Sequence, residues 1–283
     1  MVNKQHGDDE VNLKDLLRLL VGYWKLIFLV TIISTSLAAT YAFLATPVYQ
    51  AEALLAPVVK DKNTRLSALA GQFSGLASLA GVNVGGSGGS VAEAIAILKS
   101  RDLTYKLIKD ENLLPILFEK KWDAKKNEWI GNGKSPSLWK AYIKFNSLRK
   151  ISQNKKTGLI KLTINWKDPA LAAKWVSGLI ASVNKKLRLD AIRSSEKSIK
   201  YLYDELKKTS VIKVKDSIYS LIEAQTKNMM LAKTRNEYAF RTLDAAVVPE
   251  QRIKPRRGLI VVFGFMLGGI LGLLFVFFRR IFS

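Results

Sequence analysis

The longest apolar run of the 283-residue sequence lies within PRRGLIVVFGFMLGGILGLLFVFFRR, residues 255–280, close to its end. No residue between Arg257 and Arg279 is charged. As a helix, residues 258–278 would be about 32 Å long at roughly 1.5 Å per residue, which matches a bilayer hydrocarbon core of about 30 Å. A core helix of a soluble protein is seldom apolar on every face over this length, so the run predicts a membrane-spanning helix.

A second apolar run lies near the other end of the sequence, where residues 26–45 carry no charge. Trp24 precedes it and Tyr41 lies near its far end, which are the positions of interfacial aromatic residues. A cleaved signal peptide with small residues around Thr40–Ala42 is the alternative. Its n-region would be unusually long and would include the acidic residues 8–10, so an uncleaved anchor over residues 25–46 is the favoured interpretation.

Two such helices predict a hairpin in the membrane, with both termini on one side and the bulk of the chain on the other. The predicted segments are an N-terminal segment (1–24), a first helix (25–46), a large domain (47–257), a second helix (258–278) and a tail (279–283). Charge does not decide which side the large domain faces, because long loops translocate largely regardless of their charge. The absence of cysteine fits an exported domain without disulfides and also a cytosolic domain.

The chain is strongly basic, with 45 Lys and Arg against 23 Asp and Glu, a net charge of +22. Most of this surplus falls between the two apolar runs. It predicts an anionic partner such as lipid headgroups or acidic glycans, although a solvated lysine-rich surface would give the same composition. No arginine-rich aromatic strand or recognition helix favours nucleic acid as the partner.

The large domain is predicted to alternate strands and helices. Residues 160, 162, 164 and 166 of GLIKLTINW are apolar with period two, which indicates a strand with one buried face, paired through the NKKTG loop with RKISQ. Asp168 and Pro169 then cap and begin a long helix. The other predicted elements are an amphipathic helix (12–24), a strand (48–58), a glycine-rich segment that is flexible or packed (71–90), and helices over 91–113, 170–208 and 216–243. This order predicts an α+β membrane protein whose two transmembrane helices flank a domain with a small mixed sheet near the membrane and long projecting helices.

Residues for catalysis are scarce. His6 is the only histidine and cysteine is absent, so zinc-type sites and histidine-based catalysis lack their ligands or base. GNGKS at 131–135 imitates the end of a phosphate-binding loop, but Glu128 stands where its first glycine would be. We therefore predict no catalytic, cofactor or metal site; a carboxylate pair assembled only by folding is the alternative that the sequence leaves open.

The glycines of the second apolar run form a regular pattern. Gly264, Gly268 and Gly272 are four residues apart and share one face of a helix. Small residues let membrane helices approach closely, and Ser34 and Ala38 of the first run offer a matching surface. These glycines are therefore predicted to pack the helices together, although glycine is also simply common in membrane helices.

Six segments in this order resemble the Wzz-type chain-length determinants, which are polysaccharide co-polymerases of bacterial inner membranes. They are VNLKDLLRLLVGYWK (11–25), PVYQAEALL (47–55), AIAILKSRDL (94–103), KTGLIKLTINWKDPALAAKW (156–175), LIEAQTKNMMLAKTRNEYAFRTLDAAVVPE (221–250) and KPRRGLIVV (254–262). The family's tyrosine-kinase members carry a Walker-motif domain after the second helix. Because this sequence ends four residues after Arg279, the resemblance is to members without a fused kinase domain.

The resemblance implies cytoplasmic termini, a periplasmic domain, a ring-like homo-oligomer and no enzyme activity. The function it implies is that of an inner-membrane scaffold that regulates, with a membrane polymerase, the chain length of a lipid-linked glycan such as O-antigen, capsule or exopolysaccharide. An envelope adaptor subunit of a polysaccharide export machine is the alternative. Pro255, Arg256 and Arg257 would then lie at the periplasmic mouth of the second helix, close to where the anionic lipid-linked glycan passes.

Overall fold

The computed structural model describes residues 22–58, 88–131 and 133–281. The amphipathic helix expected over residues 12–24 lies almost entirely outside the described residues, and so does the glycine-rich segment up to residue 87. The chain divides into two compact units. The first contains the two chain ends, residues 1–48 and 251–283, and the second contains residues 49–250.

Helices and strands alternate along the second unit and helices dominate the first. The helices are α1 (Trp24–Leu44), α2 (Gly88–Lys99), α3 (Arg101–Asp110), α4 (Leu113–Leu117), α5 (Leu138–Leu148), α6 (Pro169–Lys208), α7 (Ile212–Thr234) and α8 (Arg257–Ile281). The strands are β1 (Val48–Pro57), β2 (Trp122–Asp123), β3 (Glu128–Trp129), β4 (Arg149–Gln153), β5 (Ile160–Trp166), β6 (Phe240–Asp244) and β7 (Arg252–Lys254). The predicted α+β architecture with two apolar terminal helices is thus confirmed.

The first unit contains the two apolar helices. Both α1 and α8 are long and apolar enough to cross a membrane by the criteria of length and composition. They pack against each other along their length. Most of their apolar side chains point outward and are exposed, including Phe28, Leu37 and Phe265. An outward apolar surface is what a helix pair in lipid presents, because the surrounding solvent is hydrocarbon.

A sheet organises the core of the second unit, with the strand path β4-β5-β1-β6. The β4–β5, β5–β1 and β1–β6 pairs are antiparallel. The predicted inward face of β5 is confirmed, since Ile160, Leu162 and Ile164 are fully buried. Ala51 and Ala53 of β1 lie opposite Ile164 and Leu162. These residues belong to one apolar core cluster.

The long helix α6 covers this sheet with its first half. Asp168 caps it as predicted, because its carboxylate accepts hydrogen bonds from the backbone N–H groups of Ala170 (2.9 Å) and Leu171 (3.1 Å). Trp175 and Val183 belong to a buried stripe that joins the core. Beyond this stripe the helix continues without a break to Lys208 and packs against α7. The predicted long helix is therefore confirmed, and its second half forms a helical hairpin with α7.

The helix predicted over residues 91–113 is two helices rather than one. Ser100 separates α2 from α3 and has extended backbone angles. Its hydroxyl accepts a hydrogen bond from the N–H of Leu103 at 3.2 Å, which makes it the N-cap of α3. A serine at this position can satisfy an otherwise unpaired N–H group, so the local hydrogen bond favours a new helix start over continuation.

The helix predicted over residues 216–243 is wrong at both ends. Helix α7 begins at Ile212 and ends at Thr234, and residues 240–244 form strand β6. Phe240 is fully buried, and β6 pairs with the end of β1. Pairing and burial in the sheet override the helical preference of this segment.

Helix α5 has no counterpart in the sequence prediction. Ser137 caps it by accepting a hydrogen bond from the N–H of Lys140 at 3.4 Å. Ala141 and Phe145 lie four residues apart, are buried and join the core. The capping serine and this spacing are the signals that could have revealed the helix.

Two buried polar side chains tie helices to strands in the second unit. On α6, the Asn184 amide donates to the Phe240 carbonyl at 3.0 Å and accepts from the N–H groups of Ala239 (2.8 Å) and Phe240 (2.9 Å). The other is Arg149, at the start of β4. Its guanidinium donates to the Leu98 carbonyl at 2.6 Å, and also to the Lys99 carbonyl, Thr104 Oγ1 and Asn146 Oδ1.

Burial lowers the pKa of the Arg149 guanidinium, because the charged form loses hydration. The partners that face it are neutral oxygens. Two of these oxygens are the last carbonyls of α2, where the helix dipole favours positive charge. Arg149 therefore closes the C-terminal end of α2 and joins that helix to the sheet.

Candidate helix-packing and membrane-junction site

The glycines of α8 that share one helical face are buried. Gly264, Gly268 and Gly272 are buried, and Val276 continues the same row. Their neighbours Phe265, Met266 and Leu267 are exposed. The structure therefore brings the three predicted glycines together on the side of α8 that meets α1.

The glycines allow a close approach of the two backbones. A Cβ atom added at Gly268 would lie 2.7 Å from Ser34 Cβ and 2.9 Å from Thr31 Cα. At Gly272 it would lie 3.1 Å from Ile27 Cα, and at Gly264 it would collide with Ala38 Cβ. Carbon atoms in contact are normally about 3.5–4.0 Å apart, so a side chain at Gly264 or Gly268 does not fit without movement of the helices.

One neighbouring glycine behaves differently. A Cβ atom added at Gly269 would meet no atom within 4 Å. This glycine is next to Gly268 in sequence but does not face α1. Close approach therefore explains the three glycines of the buried row and not glycine in this helix generally.

A hydrogen bond joins the two helices across the glycine row. The Ser34 hydroxyl donates to the backbone carbonyl of Gly264 at 2.9 Å. Thr31 instead donates to the carbonyl of Ile27 in its own helix at 2.8 Å. Hydrogen bonds between helices in a membrane contribute about 0.6 kcal/mol on average. Ser34 therefore helps to fix the relative orientation of α1 and α8 but contributes little to the stability of their contact.

The junction end of α8 is held by Arg257. Its Nε donates to the carbonyl of Ala42 at 3.2 Å, and its guanidinium lies 4.5 Å from the centroid of the Phe43 ring. Ala42 is in the last turn of α1, whose carbonyls lack partners within the helix. Arg257 therefore closes the C-terminal end of α1 with a positive charge, which the helix dipole favours.

The other two predicted junction residues lie beside Arg257 without sharing its contacts. Pro255 is half-buried and Arg256 is exposed. Arg252 and Lys254 of β7 are also exposed. The structure therefore separates one arginine that holds the helix pair together from three cationic side chains that face outward.

Sequence reasoning found part of the surface on α1 and missed the rest. Ser34 and Ala38 contact α8 as expected. Ile27, Thr31 and Ala42 also contact it but were not singled out. A signal for them exists, because these positions continue the spacing of three or four residues that marks one helical face.

Ionisable groups that could hold a metal do not come together in the part of the chain described by the structure. No group of three or more His, Cys, Asp or Glu side chains with a suitable arrangement occurs among the described residues. The site is characterised by close approach of the two backbones, the interhelical hydrogen bonds of Ser34 and Arg257, and a row of exposed cationic side chains.

Two protein-family models match this chain. Residues 9–111 match the model described as Wzz, chain length determinant protein. Residues 204–281 match the model described as GNVR, a G-rich domain on putative tyrosine kinase. The first match contains α1, β1, α2 and α3, and the second contains α7, β6, β7 and α8. These matches confirm the resemblance that the six sequence segments indicate.

Two curated relatives are both named tyrosine-protein kinase etk, from Escherichia coli strain K12 and from Escherichia coli O127:H6. Each is 33% identical to this chain over 122 residues, which is 42% of this chain and 15% of the relative. The chain thus spans a small part of the length of these relatives.

Solved structures of polysaccharide co-polymerases are also similar. A full-length bacterial polysaccharide co-polymerase aligns with a TM-score of 0.42 and 12% identity over 96% of this chain and 98% of its own. A fragment of WzzB from Salmonella Typhimurium aligns with a TM-score of 0.31 and 14% identity over 74% of this chain and 100% of its own. Both TM-scores are too low for a shared fold to follow from them.

Proposed function

Because this chain is a member of the Wzz chain length determinant family, we propose that it is a non-enzymatic scaffold of the bacterial inner membrane. In this role it regulates the chain length of a lipid-linked surface polysaccharide together with a membrane polymerase. The observation that carries the proposal is the Wzz match over residues 9–111, which includes the first of two closely packed apolar helices.

In the proposed topology both termini are cytoplasmic and residues 47–257 are periplasmic. The helix pair α1 and α8 then anchors each copy in the inner membrane. The supporting observation is that the two helices that could cross a membrane bracket the whole folded second unit. An even number of crossings returns the chain to the side on which it began.

The outward cations at the start of α8 suit this position. Arg252, Lys254 and Arg256 are exposed in the segment that leads into the helix. Cationic side chains near a membrane surface are attracted to anionic lipid by about 1 kcal/mol each. In the proposed role they face the phosphate groups of the lipid that carries the growing glycan, while Arg257 keeps the helix pair closed.

The helical hairpin formed by the second half of α6 with α7 supports a homo-oligomer, which we propose is ring-like. It leaves large apolar and aromatic side chains exposed on both helices and at its turn. Tyr201, Val211, Ile212, Tyr219 and Met230 are among them, and Ile212 is 75% exposed. A surface of this kind is typical of contacts between proteins. We propose that copies of the chain meet through this hairpin.

Deletion of the gene tests the proposed function. We expect the deleted strain to display surface polysaccharide of random length in place of a preferred length, as resolved on a gel of the extracted polymer. Return of the wild-type gene restores the preferred length. A length distribution unaffected by deletion would refute the proposal, and polymer trapped inside the cell would favour an export adaptor instead.

A further inference from the structure

An aromatic cluster with a cationic edge lies where α3 and α5 meet in the second unit. The rings of Trp139 and Tyr142 on α5 are 5.6 Å apart at an interplanar angle of 31°. Tyr105 on α3 contacts Tyr142 edge-on at 6.0 Å. The guanidinium of Arg101, also on α3, lies 5.8 Å from the centroid of the Trp139 ring. These four side chains form the α3/α5 aromatic cluster.

The indole of this cluster is not part of the core. Trp139 is 49% exposed, whereas Trp175 and Trp166 are buried between the sheet and the helices. Ile143 follows one turn later on α5 and is also exposed. Tryptophan, tyrosine and arginine are the residue types that most often dominate the binding energy of an interface, and this cluster contains all three. The half-exposed Trp139 ring is therefore accessible to a partner.

The charges around the cluster point to an anionic partner. Lys106 follows Tyr105 in sequence, Lys140 follows Trp139, and both are exposed. Within the described part of the chain, no ion pair involves Arg101, Lys106 or Lys140. The neighbouring carboxylate of Asp102 is paired with Lys186 at 3.5 Å. The cluster therefore offers an aromatic face together with cations that have no ion-pair partner among the described residues.

We propose that the α3/α5 aromatic cluster is a binding site for an acidic glycan, with a sugar ring packed on Trp139 and a carboxylate or phosphate of the glycan held by Arg101. A sugar ring has an apolar face of C–H groups, which suits the electron-rich face of an indole. The guanidinium presents several N–H donors to an anionic oxygen. This inference rests on the proposed function, which supplies a glycan to the protein.

The test measures binding of glycan to the full-length protein in detergent micelles. The probe is the surface polysaccharide purified from the cells that make the protein, used intact and after chemical reduction of its acidic groups. Binding is measured by calorimetry at two salt concentrations. We expect the intact polymer to bind and the reduced polymer to bind more weakly, with the difference shrinking at high salt because ionic contacts are screened.

Variants assign the binding to the cluster. Trp139→Ala should weaken binding roughly two- to tenfold, since one aromatic contact is lost. Trp139→Phe keeps a ring at this position and should retain most of the binding. Arg101→Gln should weaken binding and reduce its dependence on salt. Ile130→Ala is the control, because Ile130 is 61% exposed just after β3, outside both the cluster and the α6/α7 hairpin, and its loss should leave binding unchanged.

Three outcomes would overturn the inference. Wild-type protein that fails to bind the polysaccharide would do so, and so would Trp139→Ala protein that binds as tightly as wild type. Binding left intact by Trp139→Ala while cross-linking between copies is lost would reassign the cluster to contact between protein chains. The gene-deletion experiment separates the two proposals: a preferred length that depends on the gene, without binding at Trp139, refutes only the glycan site.

Discussion

Replacement of the glycine row by leucine is expected to separate α1 from α8. We consider the double change Gly264→Leu and Gly268→Leu. Leucine favours the bilayer, so both helices should still insert. The added side chains would occupy the space that Ser34 and Ala38 of α1 now fill. The perturbation therefore acts on the packing of the helix pair and not on its presence in the membrane.

The magnitude follows from the distances at Gly268. Its added Cβ atom would lie 2.7 Å from Ser34 Cβ, about 1 Å closer than carbon atoms in contact allow. The helices must move apart by at least this amount, and the rest of each leucine side chain requires more. Overpacking of this kind costs about 1–3 kcal/mol. The closed pair should therefore become less favourable by roughly ten- to hundredfold.

The absence of cysteine makes a direct assay possible. Phe43 and Arg257 are in contact across the helix pair outside the glycine row, so cysteines introduced at these two positions should be joined by a short thiol-specific cross-linker. We expect efficient cross-linking with wild-type Gly264 and Gly268 and a marked loss in the double leucine variant. The preferred polysaccharide length should be altered in the same variant.

Gly269→Leu provides the matched control for this experiment. It adds the same side chain to the same helix, but the space around Gly269 is open. It should cross-link and support polysaccharide synthesis like the wild type. Wild-type cross-linking and wild-type polymer length in the Gly264→Leu/Gly268→Leu variant would contradict this prediction and leave these glycines without a packing role.

Other changes test the contacts of the second unit, each by urea or thermal unfolding. Asn184→Ala leaves three backbone groups at Ala239 and Phe240 without their partner and should lower the free energy of unfolding by about 2–4 kcal/mol. Unchanged stability would contradict the view that Asn184 holds the start of β6 in place. Arg149→Ala should lower the free energy of unfolding by a similar amount, about 2–4 kcal/mol, because four oxygen atoms lose the charged group that donates to them. Arg149→Lys should restore only part of this stability. The hydrogen bond from Lys161 lowers the pKa of Glu52, so this carboxylate stabilises the fold above its unfolded pKa and the contribution is lost as the pH falls through its folded pKa. The pair is half-exposed, so Glu52→Gln should cost less than about 1 kcal/mol at pH 7 and nothing in acid; a larger effect in acid than at pH 7 would contradict this.

The elements predicted best from the sequence are those whose apolar periodicity or capping residue clearly indicates one type of structure. The apolar face of β5 and the Asp168 cap of α6 are examples, because alternation and capping are local properties. The glycine row was also visible, since spacing of four residues along a helix needs no knowledge of its partner. The predicted roles of these glycines and of residues 255–257 in the protein's activity stay predictions.

The misses share a different cause. Residues 240–244 look helical in isolation but become a strand because Phe240 pairs with β1 and is clamped by Asn184. Helix α5 lies between a polar connector and a strand, and its two local signals, the Ser137 cap and the Ala141/Phe145 spacing, become decisive only with its contacts to the core. The α3/α5 aromatic cluster is assembled from residues far apart in sequence, which no local pattern reports.

The unbroken course of α6 has a mechanical consequence. The helix has 40 residues without an interruption, and its first half is fixed between the sheet and the core. The stretch from Asn184 to Lys208 is about 36 Å long at roughly 1.5 Å per residue, so a tilt of about 5° at its base would displace its far end by about 3 Å. A rearrangement too small to disrupt packing around Trp175 would therefore move the outer end of the hairpin by the width of a side-chain contact. A small rotation of the packed first half of α6 is therefore amplified into a larger displacement at Lys208.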